Sequence, residues 1–496
     1  MQKELANVTK QSSIVFSGKI IGLSFGLLFN FIAARFLGAE IYGQFMYIFT
    51  FISLLPPLVI MGLQKGLVYF IPQLQEDQQL VRRNSYITLS FLLVFLTSSI
   101  VAISIIINSD FISNILLNNP ELNTLVKLMA PLIIFLALND LLKGVFQGVN
   151  KIKFFVLNES IIIPVLKVVV LLGVYLLGFV MNSIVLAFYV ATVTGFIYLI
   201  ILVIRLRVFS RIRFSNFKDF KKIFKYSLPL LFSGYLMLIS QKTDIMMIGY
   251  FSTDGQVGIY NIALRVGTLS SFILVAFNTM FAPTISSLFH RGKLETLENM
   301  YKVITKWIVG VNLIAFALIF LLNEEIMHVF GSEYVAGSIA LVLVSVGQVV
   351  NAGVGSAGMI LSMTGKPVLD MITNFIVVIV NVSLNYTLIP IYGIEGAAIA
   401  SMVSVGIANI IRLLLVYKMF RFHPYNFGFV KIICSIVIAS LLIKCVLSFT
   451  EFLWYMNLIL LPLLFIGIFM LVYYWLGMDK EDKDILNTMK RKMKIG

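Results

Sequence analysis

The segment Arg205–Lys225, which reads RLRVFSRIRFSNFKDFKKIFK, separates two long apolar halves of the chain. It contains eight Lys or Arg residues and a single acidic residue, Asp219. Loops that are rich in Lys and Arg beside membrane spans stay in the cytoplasm. The segment therefore predicts the orientation of the helices on both sides of it. We interpret it as a topological signal rather than as a binding site for a specific partner.

The composition is typical of a membrane protein. Hydrophobic residues make up 59% of the 496 residues and charged residues only 12%, and the mean hydropathy is +0.98. Soluble globular chains of this length do not have such values. The net charge of +15 is dispersed over short loops and the tail, whereas nucleic-acid binding needs a clustered basic face. Cys434 and Cys445 have no metal or redox spacing, so we expect no metal site.

Apolar runs predict fourteen transmembrane helices. Each run has ~20 residues or more, the length that an α-helix needs to cross a hydrocarbon core of ~30 Å. The first run ends in Arg35 and has no clear small-residue cleavage site, so we expect a span rather than a cleaved signal peptide. The predicted helices are Ser12–Arg35, Ile41–Leu63, Tyr86–Asn108, Thr124–Gly148, Lys153–Gly178, Ser183–Ile204, Ser227–Phe251, Gly258–Phe281, Val303–Leu322, Val335–Met363, Pro367–Ile391, Gly393–Tyr417, Phe427–Leu447 and Phe452–Trp475.

The loops between these helices are segregated by charge. With the N-terminus in the cytoplasm, basic residues lie in the inner loops and the tail, and the outer loops hold no Lys or Arg apart from Arg35. This pattern predicts a multi-pass protein of the cell membrane with both termini cytoplasmic. Frequent Ile, Asn and Lys hint at a prokaryotic source. The outer acidic residues are Asp110, Glu121, Asp254, Glu324, Glu325, Glu333, Glu395 and Glu451.

No catalytic motif occurs in the sequence. The longest outer loop, Ser109–Asn123, is too short to fold into a domain, which disfavours a membrane glycosyltransferase or polymerase with an external catalytic loop. The sequence contains no G-x-x-x-x-G-K-[ST] phosphate loop and hence no sign of a nucleotide-binding domain. We therefore expect a protein that is not an enzyme and that binds no cofactor. Coupling to a proton or sodium gradient stays open.

The second half of the sequence repeats features of the first half. Aligning Tyr42 with Tyr260 gives an offset of 218 residues, Lys151 with Lys366 gives 215, and Gly178 with Gly393 gives 215. The offset covers six predicted helices, so both copies should have the same orientation and be related by an axis along the membrane normal, with a cavity between them. The predicted organisation is an N-terminal bundle (1–204), a basic linker (205–226), a C-terminal bundle (227–420), helices 13 and 14 (421–477) and a cytoplasmic tail (478–496).

Four stretches resemble a known family. They are GKIIGLSFGLLFNFIAARFLGAEIYGQF at Gly18–Phe45, SQKTDIMMIGYFSTDGQVGIYNIALRV at Ser240–Val266, and the turns QGVNK at Gln147–Lys151 and MTGKP at Met363–Pro367. The chain is similar to the polysaccharide-export flippases of the multidrug/oligosaccharidyl-lipid/polysaccharide flippase superfamily. The resemblance implies two six-helix bundles, alternating access of a central cavity, and transfer of a polyprenyl-diphosphate-linked oligosaccharide between leaflets without ATP hydrolysis. It also implies membrane lipids and other polysaccharide-assembly membrane proteins as partners.

Ionisable residues within the spans are the candidate site residues, because a charge in the bilayer is costly. Lys167 lies near the middle of its predicted helix and is our first candidate for contacting an anionic headgroup. Asp244 and Arg265 lie at equal depth on two consecutive predicted helices, so we expect them to pair. Lys242 and Arg265 either meet the diphosphate, with Asp244 as counter-charge or ion-coupling carboxylate, or form a structural ion pair with it.

A second group of charges lies towards the inner side. Asp140, Lys143 and Glu159 occur where helix 4 ends and helix 5 begins, and we expect Lys143 to pair with Glu159 or Asp140. Asp140 is a further candidate counter-charge or coupling residue. Arg35 resembles the Arg that often ends helix 1 in this family, and it either guides the diphosphate to the outer exit or anchors the helix. Lys19, Lys65, Lys127, Lys444 and Arg412 are expected to snorkel to a membrane surface.

Two other transporters remain as alternatives to the oligosaccharide flippase. A cation-coupled multidrug exporter of the same superfamily would need a net acidic cavity, whereas Lys167, Lys242 and Arg265 outnumber Asp244. A flippase for the peptidoglycan precursor lipid II shares the fourteen-helix expectation. The basic character of the spans favours an anionic lipid-linked substrate over an organic cation.

Overall fold

A computed structural model of the chain describes residues 2–74, 79–206, 208, 217–449, 454–477, 479 and 482. Within these residues the fold is helical and contains no strand. The predicted all-α membrane fold class is therefore confirmed. The α-helices are α1 (Gln2–Ser53), α2 (Leu55–Ile60), α3 (Leu63–Phe70), α4 (Leu80–Ile107), α5 (Ser109–Phe111), α6 (Asn123–Met129), α7 (Leu132–Gly148), α8 (Ile152–Leu157), α9 (Ile163–Leu176), α10 (Val180–Arg205), α11 (Phe217–Phe251), α12 (Asp254–Gly267), α13 (Ser271–His290), α14 (Leu294–Leu321), α15 (Asn323–Phe330), α16 (Ser338–Val354), α17 (Ala357–Met363), α18 (Pro367–Phe420), α19 (Gly428–Phe449) and α20 (Trp454–Trp475).

Many of these helices are long enough to cross a bilayer. The described residues contain 11 helices of sufficient length and apolarity, or up to 12 if the bent pair Pro120–Met129 and Leu132–Gly148 forms one span. Two of them, Ser17–Ile60 and Pro367–Phe420, contain 44 and 54 residues, and each includes two of the predicted helices. The predicted count of fourteen is not confirmed.

Both long helices are interrupted at a glycine. Gly38 has φ 79° and ψ 168°, and Gly393 has φ 55° and ψ −132°. Residues with a side chain rarely adopt such positive φ values. Without a break, the 54 residues of α18 would form a helix of ~80 Å, more than twice the hydrocarbon thickness of ~30 Å. The breaks fall where the sequence predicts one span to end and the next to begin.

Three predicted spans are broken in the structure. The predicted helix Thr124–Gly148 bends by 45° between α6 and α7, at Pro131, which has no amide hydrogen to continue the helix. The predicted helix Val335–Met363 stops at Gly355, which has φ 59°. The predicted helix Gly258–Phe281 is replaced by α12 and α13. Helix α13 is long and apolar enough to cross a bilayer, whereas α12 has 14 residues.

Backbone conformation supports the internal repeat. Gly178 and its aligned counterpart Gly393 both have positive φ, 87° and 55°. Asn150 and Gly365 precede the aligned Lys151 and Lys366, and they also have positive φ, 58° and 80°. Such values are uncommon outside glycine. Positive φ at two pairs of positions with the same offset supports shared local structure in the two halves, while their common orientation in the membrane stays a prediction.

The chain divides into two compact units, Met1–Gly258 and Ile259–Gly496. Unit 1 contains α1–α11, and the boundary falls inside α12. Residue 207 and residues 209–216 of the predicted basic linker lie outside the described residues, as does most of the predicted tail. Helix α11 begins at Phe217, ten residues before the predicted start at Ser227. The predicted bundle boundaries stay predictions.

Unit 2 has two buried apolar clusters. One joins α13, α14, α17 and the end of α18 around Tyr301, Ile308 and Leu361. The other joins α14, α19 and α20 around Ile436 and Phe465. Helix α14 contributes to both clusters, so it is the central packing element of this unit.

Candidate functional site

Lys167 lies among aromatic rings in unit 1. Its Nζ is 3.5 Å from the ring centroid of Phe188 on α10 and 5.9 Å from that of Phe29 on α1. The two rings contact each other edge to face, with centroids 5.5 Å apart. An ammonium over an aromatic face is attracted by ~0.5–1 kcal/mol when exposed and by ~2 kcal/mol when desolvated. We call Lys167, Phe29 and Phe188 the Lys167 site.

The neighbouring rings fix the position of this site. Phe188 also contacts Phe45 and Phe49 of α1, each at 4.7 Å between centroids. Phe29, Phe45 and Phe188 are buried, with 4%, 1% and 5% exposure, whereas Lys167 is half-buried. Packed aromatic pairs contribute ~0.5–1.5 kcal/mol beyond their burial. The lysine is therefore held by three helices of unit 1, and one side of it remains accessible.

A second charged group joins α7 to the helix that follows it. Lys143 Nζ is 3.8 Å from Glu159 Oε2 and 5.2 Å from the ring centroid of Phe155. The pairing predicted from the sequence is confirmed. Asp140, one turn earlier on α7, interacts electrostatically with both charged partners. This group is a carboxylate–lysine–carboxylate arrangement within the apolar part of unit 1.

Two buried asparagines lie in unit 1, one on α7 and one at the end of α8. Asn139 Nδ2 donates to the carbonyl oxygen of Thr192 at 3.3 Å. Asn158 is fully buried, and its side-chain atoms have no hydrogen-bond partner among the described residues. It begins a π-helical turn, Asn158–Ile162. Such turns are rare and occur frequently at functional sites.

The predicted pair of Asp244 and Arg265 stays a prediction. Asp244 is buried on α11, with 3% exposure, and Lys242 on the same helix is half-buried. Arg265 belongs to unit 2, where its Nε donates to Asn261 Oδ1 at 2.8 Å. Arg35 is exposed, three residues before the break in α1. This exposure suits an anchor at the end of the first span and also contact with a ligand.

Two residues expected to snorkel make defined contacts with other side chains or carbonyl groups, and their snorkelling stays a prediction. Lys65 Nζ donates to the carbonyl oxygen of Leu230 on α11 at 3.3 Å. Arg412 Nε is 2.8 Å from Asp370 Oδ1, and its Nη2 donates to Asn374 Oδ1 at 2.7 Å. The contact of Lys65 joins α3 to α11, and the contacts of Arg412 join the two parts of α18 on either side of the break at Gly393.

Sequence reasoning missed a larger charged cluster in unit 2. Lys306 has a side chain that is 1% exposed, and its Nζ lies 3.1 Å from Asp479 Oδ2 and 3.0 Å from Asp482 Oδ2. Lys431 Nζ is 2.8 Å from Asp479 Oδ1. Trp307 Nε1 donates to Asp482 Oδ1 at 2.9 Å, and the Tyr473 hydroxyl donates to Asp482 Oδ2 at 2.5 Å. We call these six residues the tail latch.

The latch favours ionised carboxylates. Burial alone would raise the pKa of Asp479, but hydrogen bonds from Lys431 and Lys306, together with their charges, lower it below the ordinary value of 3.8. Burial likewise opposes ionisation of Asp482, and hydrogen bonds from Tyr473, Trp307 and Lys306 outweigh it, so its pKa is also lowered. The latch is thus an ionised cluster that joins α14, α19 and α20 to the beginning of the tail.

A metal site is not formed by the described residues. Groups of three or more His, Cys, Asp or Glu side chains that could hold a metal ion do not occur among them.

Comparisons with known proteins identify the family and the fold. The sequence profile of the family described as polysaccharide biosynthesis protein matches residues 8–289, more than half of the chain. The MatE profile matches residues 229–387. The probable low-salt glycan biosynthesis flippase Agl15 of Haloferax volcanii is 27% identical over 273 residues, which are 54% of this chain and 56% of that protein. The match thus spans about half the length of this relative.

Two solved structures share the fold. The lipid II flippase MurJ in an inward closed conformation has a TM-score of 0.74 and 16% identity, covering 93% of this chain and 97% of that chain. An inward-facing multidrug resistance MATE family transporter of the MOP superfamily has a TM-score of 0.68 and 16% identity, covering 81% and 98%. Likeness at such identities shows the fold alone. The chain is a multi-pass helical membrane protein with the fold of these transporters.

Proposed function

Because the chain belongs to the polysaccharide biosynthesis protein family, we propose that it is a flippase. Its substrate would be a polyprenyl-diphosphate-linked oligosaccharide, moved from the inner to the outer leaflet for cell-surface polysaccharide biosynthesis. The similarity to a probable glycan biosynthesis flippase supports this class of substrate. The transport mode would be alternating access driven by an ion gradient.

The Lys167 site carries this proposal. A diphosphate headgroup that leaves the inner surface enters a medium that penalises an unpaired charge. A lysine within the apolar part of a span lowers that barrier, because it supplies the opposite charge at depth. Lys167 is held over the Phe188 ring at 3.5 Å, so its ammonium is oriented before substrate arrives. Preorganised charge costs no rearrangement on binding.

Other charged residues extend the proposed path. Lys242 and Arg265 would contact the diphosphate, and Arg35 would meet it towards the outer exit. Asp244 is a buried carboxylate and would serve as counter-charge or ion-coupling group. Asp140 would play the same part beside Lys143. A proton or a sodium ion on either carboxylate would change the local charge and so favour one conformation over another.

Two other substrates are competing proposals. A lipid II flippase is one, since a protein of that name shares the fold of this chain. The MatE match at residues 229–387 favours a cation-coupled drug exporter. An organic cation would be repelled by Lys167, so the charge of the site favours the lipid-linked substrates.

The setting follows from the same proposal. The protein would lie in the cell membrane of a prokaryote with both termini in the cytoplasm, since basic loops stay inside. Membrane lipids and other membrane proteins of polysaccharide assembly would be its partners. It would act as a transporter and not as an enzyme.

Reconstitution in liposomes tests the proposal. A polyprenyl-diphosphate-linked oligosaccharide is placed in one leaflet, and its arrival in the other is followed with and without a proton or sodium gradient. Protein-dependent movement is expected, and gradient dependence would identify the coupling ion. Lipid II and a fluorescent organic cation are assayed in parallel vesicles. Efflux of the cation without movement of either lipid would overturn the proposal in favour of drug export.

A further inference from the structure

A large cavity lies between α13 and α14 in unit 2. Its volume is about 890 Å³, which is within the ~300–1,000 Å³ of typical ligand sites. The turn Arg291–Lys293 joins the two helices, and the lining residue that follows it first in sequence is Thr296. The cavity is separate from the Lys167 site, which belongs to unit 1.

The lining of the cavity changes from polar to apolar along α14. Thr296, Asn299 and Lys302 line it in the first turns of the helix, and Ile304 and Trp307 follow. Between Thr296 and Trp307 the helix rises by ~16 Å. On α13 the order is mirrored, because Thr284 lies nearer the turn and Met280 and Phe277 lie farther from it.

The deep end of the cavity is formed by aromatic rings. The ring centroids of Phe277 and Trp307 are 6.3 Å apart. Tryptophan is enriched at the boundary between headgroups and hydrocarbon. The two helices are bilayer spans by length and apolarity. The polar end of the cavity therefore faces the headgroup region, and the apolar end reaches the hydrocarbon.

Lys302 is the charged residue among the described residues that line the cavity. Lys302 is 23% exposed, and Glu298 one turn earlier holds its ammonium at 2.7 Å. Arg291 and Lys293 on the adjacent turn are exposed. An anionic headgroup at the polar end would meet Lys302. Glu298 and Glu295 offset part of this charge, so the preference for an anion should be moderate.

We propose that this cavity binds an anionic phospholipid of the surrounding leaflet. Its phosphate would lie beside Lys302, and one acyl chain would lie against Met280, Phe277 and Trp307. Polarity, charge and depth all match a phospholipid standing in its own leaflet. Because Trp307 also holds Asp482 of the tail latch at 2.9 Å, the bound lipid would contact the residue that fixes the beginning of the tail.

Tryptophan fluorescence tests this assignment in vesicles. The chain contains three tryptophans, so the variant W454F/W475F leaves Trp307 alone. Quenching by phosphatidylglycerol with brominated chains is compared with quenching by brominated phosphatidylcholine. We expect Trp307 to prefer the anionic lipid about fivefold, since one basic residue near an anionic lipid contributes ~1 kcal/mol.

Matched variants separate the cavity from the general lipid annulus. The variant W307F/W454F leaves Trp475, which is 83% exposed on α20 and should show no preference. Lys302→Gln and the cavity-filling Thr284→Phe should each remove the preference at Trp307, whereas Lys444→Gln should not. Equal preference at Trp307 and Trp475, or a preference unchanged in Lys302→Gln, would overturn the proposal. Relief of quenching by polyprenyl phosphate would assign the cavity to a polyprenyl chain instead and would overturn it as well.

Discussion

Two lysines of the chain are held in opposite ways. Lys306 of unit 2 is fully buried and lies between two carboxylates, at 3.1 and 3.0 Å. Lys167 of unit 1 is half-buried and lies over the aromatic rings of Phe188 and Phe29. Carboxylates neutralise the ammonium of Lys306, whereas aromatic rings orient the ammonium of Lys167. We propose on this basis that Lys306 serves stability and Lys167 serves ligand binding.

Loss of the latch carboxylates should have the strongest effect. Asp479→Asn together with Asp482→Asn leaves Lys306 buried without its two anionic contacts. Breaking a buried ion pair on one side costs ~3–5 kcal/mol. We expect a correspondingly lower melting temperature of the purified protein in detergent.

Two variants control this experiment. Adding Lys306→Met to the double variant removes the buried charge and should restore most of the lost stability. Glu298→Gln breaks the pair with Lys302, whose side chains are 23% and 24% exposed, and should cost ~0.3–0.5 kcal/mol. A double variant as stable as Glu298→Gln would contradict a stabilising role for the latch.

The latch should also make stability depend on pH. The pKa values of Asp479 and Asp482 are lowered below 3.8 in the folded protein. Ionised carboxylates with lowered pKa stabilise the fold at pH above the unfolded value, and the contribution is lost as pH falls through the folded value. The wild type should exceed the double Asn variant in melting temperature by a constant amount at neutral pH, and the gap should close below about pH 3.8. A gap that persists at low pH would argue against ionised carboxylates.

Removal of the Lys167 charge should impair transport with little effect on folding. We expect Lys167→Ala to lower the rate of headgroup transfer about tenfold, equivalent to ~1.4 kcal/mol, because the anionic headgroup loses its cation at depth. Protein abundance should not change. Lys127→Ala, near the predicted outer end of its helix, is the matched control and should transport normally. A loss explained entirely by lower abundance would make Lys167 a structural residue.

The Lys143–Glu159 pair should give the smallest effect. The side chains are 35% and 57% exposed and the atoms are 3.8 Å apart. Exposed pairs contribute ~0.2–1 kcal/mol. A double-mutant cycle of Lys143→Met and Glu159→Gln on thermal stability should therefore give a small coupling energy. A coupling energy as large as the stability lost in the latch variants would contradict the view that the Lys143–Glu159 pair contributes little to stability.

Hydropathy and charge predicted most of the fold, because each span is a local apolar run. The sequence alignment of the two halves pairs Gly178 with Gly393, and both glycines have positive φ in the structure. The bend at Pro131 was not predicted, because the apolar run continues without interruption on both sides of the proline. The predicted span Gly258–Phe281 was wrong because the run continues past the end of α12 at Gly267.

The site was less predictable than the fold. The Lys143–Glu159 pair is close in sequence, and depth along two neighbouring helices was enough to find it. The sequence did not indicate the surroundings of Lys306, because its partners lie 173 and 176 residues away and no local pattern links them. The aromatic surroundings of Lys167 depend on α1 and α10, so the sequence indicated its depth but not its neighbours.

Flipping rates of two variants in the same liposome preparation test the division of roles most directly. Lys167→Ala is compared with Lys306→Met/Asp479→Asn/Asp482→Asn, using a polyprenyl-diphosphate-linked oligosaccharide and rates normalised to folded protein. We predict a loss of about tenfold for Lys167→Ala and a nearly unchanged rate for the triple variant. Normal flipping by Lys167→Ala, with loss in the triple variant, would contradict the assignment of ligand binding to Lys167 and stability to Lys306.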